Sequence, residues 1–264
     1  MYSNLDRPPL SAADLRRGLD PYYAELEVVA ETGSTNADLL ARASSSDSDR
    51  TVLIAEAQTR GRGRHQRVWV SPPQAQVAMS VLLRLRGIDP EQLGWLPLVT
   101  GIAVVDTVRN VTDIDANLKW PNDVLVDGRK LCGILVEVAT PGPDPAVVVG
   151  VGLNVTLSEE ELPVPEATSL SLAGAEVTDR MTLVRALLRE LASRLTAWEA
   201  ANWSTVDLAS AYRERCSTLG ARVRADLPGG DIITGVAQDV DENGRLLIDG
   251  RAVSAGDVTH LRAQ

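Results

Sequence analysis

The sequence predicts an α+β chain that closes with a small all-β module, and three patterns carry that reading. Short apolar runs such as Val52-Leu53-Ile54-Ala55 recur along the first part of the chain, and Asp127-Gly128 is a hairpin signal between two of them. Helical spacing follows, most clearly over residues 182–199, where Val184, Leu187, Leu188, Leu191, Leu195 and Trp198 form one apolar stripe. From Gly220 the character changes to brief β runs separated by Pro228-Gly229-Gly230, Asn243-Gly244 and Asp249-Gly250. Residues 1–218 are expected to form a large domain with residues 1–24 as its tail. Residues 219–264 form a small barrel-like module, often SH3-like.

At 264 residues the chain can bury a sizeable core, and 44% hydrophobic with 23% charged residues suits a globular protein. The formal net charge of -10 argues against a general nucleic-acid binder, which needs a basic face to release counterions. Two cysteines, Cys132 and Cys216, make neither a metal spacing nor a disulfide framework, which fits a reducing cytoplasm. The chain has no signal-peptide core and no run of ~18 apolar residues, so no membrane partner is expected.

In order, residues 11–18 read as a short helix in a tail too short for a helix-turn-helix domain. Glu25-Leu26-Glu27-Val28-Val29 alternates like a strand. Thr35, with Asp38 three residues on, is an aspartate variant of the capping box, so a helix starts there. The hydroxyls of Ser34 and Thr35 could bind a polar ligand group or simply cap that helix. Strands are expected over 51–57, 77–85, 130–138 and 146–151, and helices over 98–111 and about 206–216.

The stretch Gln58-Thr59-Arg60-Gly61-Arg62-Gly63-Arg64-His65-Gln66-Arg67-Val68-Trp69 concentrates cations in an acidic chain. Glycines at 61 and 63 let backbone N–H groups approach a bound group, and the arginines and indole suit a phosphate and a stacked base. The other reading is a solvated Arg/Gly run. Lys119 stands before Trp120-Pro121-Asn122-Asp123, where proline breaks the strand ladder and exposes backbone. It could neutralise a phosphate, or be a surface lysine in a turn. Gly61-Arg62-Gly63 and Gly150-Val151-Gly152 lack the third glycine of a dinucleotide fingerprint, and there is no P-loop, no Cys/His cluster and no nucleophile elbow.

Five segments in series resemble a bacterial biotin protein ligase: Gly33-Ser34-Thr35-Asn36; Gln58 with Gly61-Arg62-Gly63-Arg64, Arg67 and Trp69; Lys119-Trp120-Pro121-Asn122-Asp123; Lys130-Leu131-Cys132-Gly133-Ile134-Leu135 with Glu137; and Gly150-Val151-Gly152-Leu153-Asn154-Val155. The resemblance spans roughly residues 25–262, including Gly256-Asp257-Val258 of the β module. It implies a mixed, largely antiparallel sheet flanked by helices, as in class II synthetases, plus an SH3-like C-terminal domain. It also implies a two-step reaction. Biotin and MgATP give biotinyl-5′-AMP, and the biotinyl group then passes to a lysine of a biotin carboxyl carrier domain.

Carried over by position, the resemblance implies biotin contacts from Ser34, Thr35, Asn36, Gln58, Gly61, Arg62, Gly63, Arg64, Lys119 and Gly133. ATP and the adenylate would meet Arg62, Arg64, Arg67, Trp69, Lys119, Asn122 and Asn154. Lys119, Arg64 and Arg67 would be catalytic, with Lys119 the principal charge, and Asp123 would lie near Mg2+. The family's usual glycine is replaced by Gln66, so a positive φ there would be strained. Arg60 adds a cation, and Cys132 should pack as a small hydrophobe. The family's repressor members carry an N-terminal winged helix-turn-helix, which this chain has no room for, so no specific DNA partner is expected. The rival activities are lipoate or octanoyl ligation on the same fold, and RNA binding through the arginine-rich loop.

Overall fold

A computed structural model describes residues 7–45, 48–254 and 256–261. The first six residues of the expected tail, Ser46 and Asp47 of a Ser/Asp-rich loop, Ala255 and the last three residues of the β module lie outside these.

Short apolar runs build the main sheet. β1 (Glu25–Val29), β2 (Thr51–Ala55), β5 (Gln76–Arg84), β6 (Asn117–Lys119), β7 (Asp123–Val126), β8 (Arg129–Thr140) and β9 (Ala146–Asn154) form seven strands in the order β1-β2-β5-β9-β8-β7-β6. Only β1 and β2 run parallel; every other neighbouring pair is antiparallel. This is the mixed, largely antiparallel sheet expected.

Residues on β2, β5 and β9 are buried on both faces, which is why these strands read as continuous apolar runs. Val52, Ile54, Val81, Leu83, Val147 and Val149 enter the large core with α3 (Leu96–Thr112) and α4 (Arg180–Ala200). Their alternate neighbours Leu53, Leu82 and Val148 meet Leu39 and Ala43 at α2 (Thr35–Arg42) on the other face.

The expected hairpin turn forms, with Asp127 (φ 50°) and Gly128 (φ 76°) both left-handed as a two-residue turn requires. Three local details differ. The cap of α2 is Ser34, whose side chain accepts from Ala37 N, so Thr35 is already the first helical residue. α4 begins earlier than its apolar stripe because Asp179 accepts from the Met181 and Thr182 amides. α3 likewise starts at Leu96, with Pro97 in its first turn. α1 (Ala12–Arg17) and α5 (Val206–Arg213) complete the helices.

The arginine-rich stretch is a second, two-stranded sheet. β3 (Gln58–Arg62) and β4 (Val68–Ser71) pair across a short 3-10 turn at Arg64–Gln66. The left-handed residue of that turn is His65 (φ 53°), one position before the expected Gln66. Gly61 is required by packing: a Cβ there would run into the Trp69 carbonyl oxygen across the hairpin.

The C-terminal module is a five-stranded antiparallel sheet. β10 (Arg222–Asp226), β11 (Ile232–Val240), β12 (Leu246–Ile248), β13 (Arg251–Val253) and β14 (Asp257–His260) stand in the order β13-β12-β11-β10-β14. Two indoles tie it to the larger unit: Trp95 Nε1 donates to Glu242 O (2.8 Å) and Trp120 Nε1 to Gly244 O (3.0 Å). Thr218 Oγ1 receives Trp120 N at 3.1 Å and lies 3.0 Å from His260 Nε2, so β14 is anchored behind the end of β6. Among the described residues no helix is long and apolar enough to cross a membrane.

Under β5, Arg180 Nη1 meets Glu56 Oε2 at 2.6 Å with both side chains nearly buried, at 4% and 9% exposure. Arg180 also donates to Pro8 O (2.6 Å) and Gln76 O (3.3 Å), while Glu56 accepts from Leu10 N. Removing one partner strands a buried charge. Arg180→Met should therefore cost about 3–5 kcal/mol in urea unfolding, and adding Glu56→Gln should recover part of that loss. A cost near zero for Arg180→Met would show that the pair does not frame the fold.

Candidate active site

A cavity of about 520 Å³ opens where the arginine hairpin folds over β8 and β9 of the main sheet and meets β14. Of the residues singled out from the sequence, Ser34, Thr35, Asn36, Gln58, Arg62, Gly63, Arg64, Arg67, Trp69, Lys119, Asn122, Asp123, Gly133 and Asn154 all line it. Gly61 does not; it is buried within the hairpin and lines a separate groove.

One end of the cavity is a network of neutral polar groups at the start of α2. Gln58 Oε1 accepts from Thr35 N (2.9 Å) and Thr35 Oγ1 (3.1 Å). Behind them Ser80 Oγ, fully buried on β5, lies 2.7 Å from Thr35 Oγ1 and 2.6 Å from Asn36 Oδ1. Asn36 Nδ2 is spent on Leu135 O (3.2 Å) and Glu137 Oε2 (3.0 Å). Its amide therefore stiffens the wall. Gly150 leaves the space that the Asn36 amide fills.

The other end is built around an indole. Trp69 lies flat on Gly152, where a Cβ would come within 2.5 Å of the ring. Gln76 holds it: Oε1 accepts from Trp69 Nε1 (3.0 Å), while Nε2 donates to Val70 O (2.8 Å) and Asn154 Oδ1 (3.0 Å). Asn154 Nδ2 in turn donates to Thr168 O at 2.8 Å. A flat apolar face edged by fixed amides suits a planar heteroaromatic ring.

Between the two ends stand the cations. Lys130 Nζ lies 2.6 Å from Asp123 Oδ1 and 5.7 Å from the Trp69 ring centroid. Lys119 lines the same cavity, and among the described residues it has no hydrogen-bond or ion-pair partner. Its charge, after burial, holds the His260 imidazole below its ordinary pKa, so that ring is neutral at pH 7. Arg64 Nη1 donates only to uncharged oxygens, Asn122 Oδ1 (3.2 Å) and Gly256 O (3.3 Å). Burial lowers its pKa, opposed by Asp257 and Asp123, yet a guanidinium remains charged throughout the neutral range. Arg62 pairs with Glu137 Oε1 at 2.6 Å and Arg67 with Asp257.

Asp123 is ion-paired with Lys130, and among the described residues no group of three or more His, Cys, Asp and Glu is placed to hold a metal ion by itself. Two guanidinia of the arginine run face carboxylates while staying exposed, which leaves less charge for a polynucleotide backbone.

Lys130, Gln76 and Ser80 were missed as site residues. Each left a signal. Lys130 stands in one of the motif segments, and Gln76 and Ser80 are the polar interruptions of a buried strand. Cys132 packs as expected, fully buried, with burial pushing its thiol pKa well up.

Gly152→Ala tests the indole shelf. The added methyl should displace Trp69, shift its indole N–H resonance and cost about 1–3 kcal/mol of stability through overpacking. An unmoved resonance would contradict the packing described.

Comparisons with known proteins place the chain in a family. A family model described as Biotin/lipoate A/B protein ligase family matches residues 28–154, and one described as Biotin protein ligase C terminal domain matches residues 218–261. A biotin--[acetyl-CoA-carboxylase] ligase of Mycobacterium tuberculosis is 50% identical over 267 residues, covering 97% of each chain. The bifunctional ligase/repressor BirA of Bacillus subtilis is 30% identical, over 91% of this chain and 74% of its own. The solved biotin protein ligase of Aquifex aeolicus in complex with biotin and ATP superposes with a TM-score of 0.75 at 28% identity, over 91% of this chain and 100% of that one. With half its residues shared along nearly the whole length of a named ligase, the chain belongs to the biotin protein ligase family.

Proposed function

We propose that this chain is an ATP-dependent biotin–protein ligase that forms biotinyl-5′-AMP and passes the biotinyl group to a lysine of a biotin carboxyl carrier domain. The observation that carries the reading is one cavity with a neutral polar end, an indole end and two lysines between them. Thr35, Gln58 and Ser34 present hydroxyl and amide groups suited to a ureido ring, while Gly133 makes room for the Trp69 ring and the Lys130 side chain. Trp69 and Asn154 suit adenine. Substrates laid along this cavity would bring the biotin carboxylate and the α-phosphate together near Lys130.

In the first step a carboxylate oxygen attacks the α-phosphorus, and the bond to pyrophosphate breaks. Two anions must approach, so the residues' work is charge neutralisation. The sequence reading assigned that work chiefly to Lys119. The geometry supports a division, with Lys130 at the junction and Lys119 on the phosphate side. Arg64 and Arg67, on the hairpin, would close over the intermediate and keep its mixed anhydride from water. Magnesium would enter on the nucleotide phosphates. In the second step the acceptor amine attacks the biotinyl carbonyl and AMP leaves.

Transfer is tested by incubating the chain with biotin, MgATP and a carrier domain, then blotting with streptavidin. Labelled carrier is expected; none from folded enzyme would end the reading. Equilibrium binding should favour biotin over lipoate. Lys119→Gln and Lys130→Gln should each leave the fold intact and slow biotin-dependent pyrophosphate release by about 100- to 1000-fold, the loss of one such contact. Release within tenfold of wild type would remove that lysine from the step.

A further inference from the structure

The 264-residue chain contains two lysines, Lys119 and Lys130, and its other 24 cationic side chains at neutral pH are arginine. Both lysines line the cavity just described. The two thiols are equally withdrawn, Cys132 fully buried and Cys216 at 7% exposure. We propose that the chain is a non-acceptor for its own activated intermediate: biotinyl-5′-AMP that leaves the pocket finds no lysine and no exposed thiol on the enzyme to acylate. This deepens the ligase reading and rests on it.

The chemistry sets the requirement. Acylation needs a nitrogen lone pair to attack the carbonyl carbon of the mixed anhydride. The C–O bond to AMP then breaks, AMP leaves with the electron pair, and the amine proton passes to solvent. A lysine amine supplies that lone pair through its small neutral fraction; a guanidinium, charged at every physiological pH, does not. Arginine thus gives the surface its positive charge without nucleophilic amines. Among the described tyrosines, Tyr23 and Tyr212 are buried, and burial pushes Tyr22 up to about 12, so phenolate is withheld as well.

The two pocket lysines are held in another role. Lys130 Nζ is engaged by Asp123 at 2.6 Å. Lys119 faces the cavity in which the intermediate's own phosphate would lie, and an ammonium countering a phosphate has no lone pair to offer. An enzyme whose product-forming step is lysine acylation thereby keeps its own amines as counter-charges and directs the intermediate outward.

The test adds synthetic biotinyl-5′-AMP to the full chain mixed with albumin as a lysine-bearing bystander. Hydroxylamine removes ester and thioester adducts, and tryptic peptides are mapped for biotin. The bystander should be labelled, while the chain carries biotin at its terminal α-amine alone. Arg189→Lys on α4 and Arg251→Lys on β13, both at exposed positions, should each gain biotin at the new residue, roughly tenfold above background. Biotin on Lys119 or Lys130 of the wild-type chain would overturn the inference. So would unlabelled Arg189→Lys and Arg251→Lys chains beside labelled albumin, because protection would then not come from the missing amines. AMP formation from biotin and MgATP is measured in parallel. Its failure would count against the ligase reading and not against this inference, since the synthetic intermediate bypasses adenylation.

Discussion

The site depends on how one cluster of cations is balanced in an acidic chain. Three of the five cations on the cavity wall face carboxylates: Arg62 on Glu137, Arg67 on Asp257 and Lys130 on Asp123. The first two hold the hairpin down at opposite ends, one on β8 and one on β14. Their side chains remain partly open to water, Arg62 at 46% and Arg67 at 64% exposure. Exposed pairs of this kind contribute about 0–1 kcal/mol each. The hairpin is therefore held shallowly, and an anion in the cavity can compete for the same guanidinia. Lys119 and Arg64 carry the charge left over, and it is aimed inward.

Beneath this shallow lid the frame is rigid. The Glu56–Arg180 pair is nearly dry and joins the N-terminal tail, β5 and α4. Arg180 also holds the backbone of Gln76, whose side chain fixes Trp69, Val70 and Asn154. One line of buried hydrogen bonds thus runs from a structural ion pair to the indole shelf. The C-terminal sheet is part of the same construction, because Gly256 and Asp257 take the Arg64 and Arg67 side chains and Thr259 lines the cavity. The cavity thus has a rigid wall on one side and a weakly held hairpin on the other.

Periodicity made most of this legible. The apolar runs at β2, β5 and β9, the stripe on α4 and the Asp127-Gly128 turn state their structure locally, and fourteen of the candidate site residues drawn from the motif segments line the cavity. The hairpin β3–β4 was not legible, because Arg-Gly alternation carries no hydrophobic face. Its pairing depends on Gly61 admitting the Trp69 carbonyl and on Thr59 and Arg60 bonding back to Thr32 and Gly33. Nor could the pairing of Asp123 with Lys130 be read, since it forms only when β7 and β8 fold together. Glu56 and Arg180, 124 positions apart, left no local trace either. What the sequence hid are partnerships made by topology.

The central claim is that this cavity makes and holds an acyl adenylate. It is tested most directly by incubating the chain with biotin and MgATP without acceptor, passing it rapidly through a desalting column, and identifying the bound small molecule by mass spectrometry. The account predicts biotinyl-5′-AMP retained in near-equal amount to the chain and lost on addition of a carrier domain. Recovery of free biotin and ATP alone, with no adenylate bound, would contradict it.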